Sequence, residues 1–193
     1  MSQTKDKIIQ VLVEHIKQGN NLNDISLSKV AQEAEIGKST VYEHFKNKEE
    51  MISSTYAYLL NKYHGILLED MPMTTFKASF IAQIKRILCV MSDAKSVMDA
   101  IMNTQLEGIP SLNIEHQKLM ENIQEQMNIR FTNIMALGVQ SKEIVVQTAN
   151  PYAKHVIQAL ISGILLQYVK GEIDIDDDGV CELVYAQVIK ALS

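Results

Sequence analysis

Apolar residues return every three to four positions through most of this chain, and that spacing predicts helix almost from end to end. Ile9, Leu12, Val13 and Ile16 mark one face of a helix over about residues 4–17, and Gly19 ends it. Ser26 is a good N-cap for a short second helix with Val30, Ala31 and Ala34 turned inward, broken at Ile36-Gly37. A third short helix sets Val41 and Phe45 four apart on its buried face and turns Ser39, Tyr42 and Glu43 away from it. Asn47, with Glu50 three residues later, has the form of a capping box opening a fourth helix over residues 48–68. That helix carries Met51, Ile52, Tyr56, Leu59, Leu60 and Tyr63 and breaks at Met71-Pro72.

Downstream the same spacing predicts helices over residues 75–91 and 96–106, then a loop at Gly108, Pro110 and Ser111. A long helix follows over residues 114–137, with Leu119, Ile123, Met127, Phe131, Ile134 and Met135 as its buried stripe. Helices over 151–169, opened by Pro151, and over 179–192 complete a set of about nine, with no alternating strand pattern among them. The fold class is therefore all-α. At 193 residues the chain holds one domain, or a small one and a larger one sharing a core.

Between Val156 and Val169 the apolar positions run nearly all the way round the helix, with Ala159, Ser162 and Gly163 as a small-residue face. A helix apolar on every side is covered on every side. The cover is either the rest of the chain or a second copy of it.

Two short helices joined by a sharp turn, the second exposing small polar and aromatic groups, are how a helix-turn-helix offers its recognition helix to the major groove. Over about residues 5–55 the chain resembles the DNA-binding domain of the TetR family of bacterial transcriptional regulators. The resemblance is carried by Thr40-Val41-Tyr42-Glu43-His44-Phe45 and then Lys48-Glu49-Glu50-Met51. There are departures. Glu35 stands where the family usually has Gly, and Gly37 where it often has Ser or Thr, so Gly37 is expected to supply the unusual backbone angle of the turn. His15 replaces a customary Phe, and the connection over residues 19–24 is slightly long.

The resemblance implies a three-helix head over residues 1–47 and a larger ligand-binding and dimerisation domain over 48–193. It implies a cytoplasmic homodimer that represses from a pseudo-palindromic operator in double-stranded DNA and is released by a small, largely apolar effector. Ser28, Lys38, Ser39, Thr40, Tyr42, His44 and Lys48 are the expected DNA contacts. Members pair through their two C-terminal helices, which adds Leu166, Val184 and Val188 to Ala159, Ser162 and Gly163 as expected interface residues. Met98, Met102, Met127, Phe131 and Met135 are the expected pocket, since methionine is flexible and polarizable, though such residues equally suit an ordinary core.

A net charge of −5 is unusual for a DNA binder, because affinity for duplex comes largely from neutralising phosphates. Charge is local, however: Lys38, Lys46 and Lys48 lie in the recognition region, and Glu43 is the nearest acid. Electrostatics leaves DNA binding undecided, and the motif decides it. Gly37-Lys38-Ser39-Thr40 resembles the end of a phosphate-binding loop, but Gln32 stands where that loop needs Gly and the context is helical. Asp174-Ile175-Asp176-Asp177-Asp178-Gly179 matches the first half of a calcium loop, yet the twelfth position, which should be a bidentate Glu, is Tyr185. A solvated linker that caps the last helix is the simpler reading. The alternative function is a helical small-molecule or calcium-responsive binding protein whose head makes protein contacts. Cys89 and Cys181 show no paired spacing, five scattered histidines form no metal cluster, and no catalytic constellation or cofactor motif emerges. The start is polar rather than a signal peptide. The longest uncharged run, 15 residues between Lys154 and Lys170, falls short of the roughly 18–20 needed to cross a bilayer.

Overall fold

The computed structural model describes residues 3–103, 114–144 and 152–192, the side chains of 96–103 and 114–116 excepted. Eight α-helices and one 3-10 turn make up the described residues, with no strand among them. Contacts divide the chain into two compact units, the described residues of Met1–His64 with Asp93–Glu121, and those of Gly65–Ser92 with Asn122–Ser193.

In the first unit α1 (Gln3–Lys17), the 3-10 turn (Leu22–Asp24), α2 (Leu27–Glu33), α3 (Lys38–His44) and most of α4 (Lys48–Leu68) enclose one apolar core. Ile8, Ile9, Leu12, Val30, Val41, Phe45 and Met51 are buried at its centre. Local chemistry sets the helix starts. The Ser26 hydroxyl accepts from the Lys29 amide at 3.2 Å, as the sequence predicts for an N-cap. The Asn47 side-chain oxygen accepts from the Glu50 amide at 2.8 Å, and the Glu50 carboxylate reaches back to the Lys46 amide at 2.8 Å. The capping box forms, with its return bond one residue earlier than the usual pattern.

The second unit packs the cores of α5 (Phe76–Asn103), α6 (Ile114–Gln140), α7 (Ala153–Val169) and α8 (Asp177–Leu192) around Phe80, Ile84, Ile134, Leu165, Val180 and Cys181. Phe80 meets Phe131 and Tyr185 edge-on, with centroids at 6.3 Å and 5.8 Å. The helix expected over 75–91 and the described part of the one expected over 96–106 are a single α5, so the described residues form eight helices where about nine were expected. The intervening Ser92-Asp93-Ala94-Lys95 contains neither Gly nor Pro, and nothing in it stops a helix already propagating. The loop at Gly108, Pro110 and Ser111 and the helix start at Pro151 lie outside the described residues.

Four helices end alike. After α1, α2, α6 and α7 the chain turns on a left-handed residue, with φ of 76° at Gly19, 56° at Glu35, 60° at Lys142 and 80° at Gly171. Each time the following amide reaches back five residues, as from Ile36 to the Ala31 carbonyl at 3.0 Å. Gly37 does not supply the left-handed angle expected of it. Its φ of −69° and ψ of 146° are extended, and Glu35 takes the strained position instead. The physical reason is that this helix ending fixes the left-handed residue directly after the C-cap, here Ala34, whatever side chain occupies it.

Candidate functional site

The helix-turn-helix comprises α2, the Glu35 turn and α3. Val41 and Phe45 anchor α3 in the core, which leaves its other face to solvent. Lys38, Ser39 and Tyr42 are exposed on that face, Tyr42 by 51%, and Ser28 is exposed on α2. Thr40 and His44 are half-buried. Lys48 is also half-buried, and its ammonium donates to the Asn23 carbonyl in the α1–α2 connection. Lys48 thus ties that connection to the first turn of α4, a structural role the spacing did not announce.

A second feature of the head was visible only as a departure from family habit. His15 is buried on α1, with Nε2 2.6 Å from the Glu33 carboxylate and Nδ1 3.0 Å from the Asn20 side-chain nitrogen. A carboxylate only accepts, so it is Nε2 that donates, to Glu33. The pair joins the ends of α1 and α2 and so helps fix where the turn presents α3.

In the second unit α5, α6 and α7 line a cavity of about 450 Å3. Its apolar side is Ile87 and Met91 of α5, Met127, Phe131 and Met135 of α6, and Ile157 and Ile161 of α7. Two polar ladders at four-residue spacing complete it, Gln124-Asn128-Thr132 on α6 and Lys154-Gln158-Ser162 on α7. The ladder residues are exposed, Asn128 half so, whereas the apolar residues are half-buried or buried. Among the described residues the cavity therefore has an apolar floor and a polar mouth whose one charge is Lys154. The structure brings together Met127, Phe131 and Met135 of the five expected pocket residues; Met98 and Met102 lie on α5, with side chains outside those described.

Of the expected interface residues, Ala159, Ser162 and Leu166 are exposed on α7, Gly163 is half-exposed, and Ser162 also lines the cavity mouth. Val184 and Val188 are fully buried in the core of their own chain, so neither has surface left to give a partner. The spacing signals of α8 cannot tell an inner face from an outer one when both are apolar. What sequence reasoning missed is that Tyr152 and Val156, exposed by 69% and 45%, extend the α7 row.

The acidic run is engaged locally. Asp176 Oδ1 accepts from the Gly179 amide at 2.7 Å, Asp177 from the Tyr168 hydroxyl at 2.6 Å, and Asp178 lies 2.6 Å from Lys85 Nζ. It works as the N-terminal cap of α8, as the simpler reading holds. The Tyr168 hydroxyl is pushed up to about 12, first by its bond to Asp177 and then by burial. Among the described residues no group of His, Cys, Asp or Glu is arranged to hold a metal.

Comparison with known proteins places this geometry. The model for bacterial regulatory proteins of the tetR family matches residues 20–55, which span the turn, α2, α3 and the start of α4. A fatty acid metabolism regulator protein of Bacillus subtilis is 30% identical over 149 residues, which cover 75% of this chain and 74% of that protein. Among solved structures, a transcriptional regulator FadR from Bacillus subtilis in complex with stearoyl-CoA superposes with a TM-score of 0.57 at 19% identity, covering 97% of this chain and 98% of that one. A tetR-family regulatory protein from Rhodococcus RHA1 gives 0.67 at 14% identity, covering 100% and 98%. These structural likenesses show the shared fold.

The chain belongs to the TetR family of bacterial regulatory proteins. It is a DNA-binding regulator of helical fold and not an enzyme. No helix among the described residues is long and apolar enough to cross a membrane.

Proposed function

We propose that this chain is a cytoplasmic homodimeric repressor that holds a pseudo-palindromic operator and leaves it when a long-chain acyl compound occupies the second unit. Residues 1–47 are the DNA-binding domain in this reading, and 48–193 bind the effector and the second copy. The observation that carries it is the cavity on α5, α6 and α7, of a size usual for small-molecule sites, with an apolar floor and a polar mouth bearing Lys154. That chemistry suits a ligand with an apolar body and a polar, acidic end. The relatives support the class, one being a fatty acid metabolism regulator and another a structure holding stearoyl-CoA.

Lys38, Ser39 and Tyr42 meet the duplex in this reading, with Ser28, Thr40, His44 and Lys48 contributing to phosphate contacts. Dimerisation uses the exposed α7 row of Tyr152, Val156, Ala159, Gly163 and Leu166, whose alternating spacing of four and three is that of a helix–helix seam. Two-fold pairing sets two recognition helices about 34 Å apart, one duplex turn. A ligand acts here only through its different affinity for the DNA-bound and free conformers.

The test is selection of bound fragments from sheared host genomic DNA, with and without stearoyl-CoA, and with Tyr42→Ala and Lys48→Ala as controls. One enriched pseudo-palindrome, lost in the variants and released by the acyl-CoA, is the expected result. No enrichment removes the operator, and enrichment insensitive to acyl-CoA removes the effector class.

A further inference from the structure

Gln83 is fully buried on α5, yet its amide is bonded on both sides. Its Nε2 donates to the Leu67 carbonyl at 3.2 Å and to the Met127 thioether at 3.4 Å, and its Oε1 accepts from Arg130 Nη1 at 3.2 Å. The amide orientation follows from chemistry, because a guanidinium only donates and must face the oxygen. Arg130, on α6, also donates to the carbonyls of Leu67 at 3.1 Å, Leu68 at 2.9 Å and Glu69 at 2.9 Å. Leu67 and Leu68 are the last residues of α4, and Glu69 follows them. Carbonyls that a helix end leaves without partners are thus gathered by one amide held on α5 and one guanidinium held on α6.

Met127 joins this cluster to the cavity, since it lines the floor and accepts from Gln83. A thioether is a weak acceptor on a flexible side chain, so of all these bonds it is the one an occupant displaces most readily. Gln83 has no exposed surface through which water could replace it, so the amide must rotate toward its remaining partners. We infer that Gln83 and Arg130 are the positioning residues through which occupancy of the cavity is felt at the C-terminal end of α4. In the chain α4 begins at Lys48, shortly after the recognition helix, and ends at Leu68. The inference rests on the cavity being the effector site, but its test needs no effector.

That test is a double-mutant cycle on the full chain, read by hydrogen exchange of the backbone amides of residues 64–69. Met127→Leu keeps the volume and removes the sulfur; it is expected to speed exchange there about fivefold, the equivalent of one net hydrogen bond. In a Gln83→Leu background the same change is expected to add nothing, with the core amides of α8 unaffected throughout. Gln83→Met serves as the second background should Gln83→Leu fail to fold. Unchanged exchange in Met127→Leu, or effects that multiply in the double variant, would overturn the link and leave Gln83 and Arg130 as a helix cap alone. Failure of stearoyl-CoA to release DNA would remove the effector reading without altering the outcome of this cycle.

Discussion

Lys62 Nζ lies 2.6 Å from Asp93 Oδ2, so that α4 and α5 are joined inside the first unit by a partly buried ion pair. Burial pushes the Asp93 carboxyl up, but the bond and charge of Lys62, with Tyr63 and Lys17 nearby, outweigh it and hold the carboxyl below its ordinary value. The same carboxylate, after burial itself, holds the Tyr63 hydroxyl above its usual range. A carboxyl lowered on folding contributes stability that is present above its unfolded value, about 3.9, and is lost as pH falls through the folded one. Asp93→Asn should therefore cost roughly 1 kcal/mol at pH 7. Urea unfolding of both proteins at pH 7 and pH 3.5 checks this. A gap that does not narrow at the lower pH would show the loss to be one of packing rather than charge.

Glu35 supplies the next prediction. Its left-handed φ of 56° crowds its Cβ, a strain of about 1 kcal/mol that glycine escapes. Gly37, by contrast, is extended, and a Cβ there meets only the Ser39 and Thr40 hydroxyls at 3.5 Å and 3.6 Å. Glu35→Gly should stabilise by roughly 0.5–1 kcal/mol and raise the melting temperature by about 2–4 °C per kcal/mol. Gly37→Ser should add a few tenths by supplying the hydroxyl cap α3 lacks. A lower melting temperature for Glu35→Gly would mean that the carboxylate has a compensating contact.

Much of the head was legible because its signals are local. Ser26, Asn47 and Glu50 act within a turn of themselves, and the Val41–Phe45 spacing fixes which side of α3 faces out. The left-handed residue of the turn was misplaced because glycine content was given more weight than helix-end geometry. Gln83 and Arg130 carried no signal, since their partners lie 16 and about 60 residues away and a polar residue in an apolar stripe has no motif. Val184 and Val188 were misassigned for a related reason. Periodicity shows that a face is apolar and is silent on which neighbour covers it.

Tyr42 is the cleanest probe of the DNA face. Half its surface is exposed, and it contributes nothing to the core that Val41 and Phe45 hold. Tyr42→Ala should leave the melting temperature within about 1 °C while weakening operator binding roughly tenfold, about 1.4 kcal/mol. Lys48→Ala should weaken binding too, but with a loss of stability, because the Asn23 carbonyl loses its donor. Fluorescence anisotropy on the selected operator, beside thermal melts, separates the two. Wild-type affinity in Tyr42→Ala would move the recognition surface off α3.

Gly163 tests the seam on α7 without disturbing the chain that carries it. A Cβ added there has nothing within 4 Å, and the residue is half-exposed in the middle of the row from Val156 to Leu166. Within one chain, then, an added Cβ meets no obstacle, and replacing glycine in a helix gains a few tenths to about 1 kcal/mol of propensity. In a paired seam an arginine side chain meets the opposing helix, where small residues allow close approach, and it buries a charge without a partner. Gly163→Arg should therefore remain helical by circular dichroism and yet run as a monomer by light scattering at concentrations where the parent is a dimer. The monomer should also lose operator affinity by far more than Tyr42→Ala, since two linked half-sites become one. A dimeric mass for Gly163→Arg would mean that the two copies meet elsewhere, with the α7 row left for another partner.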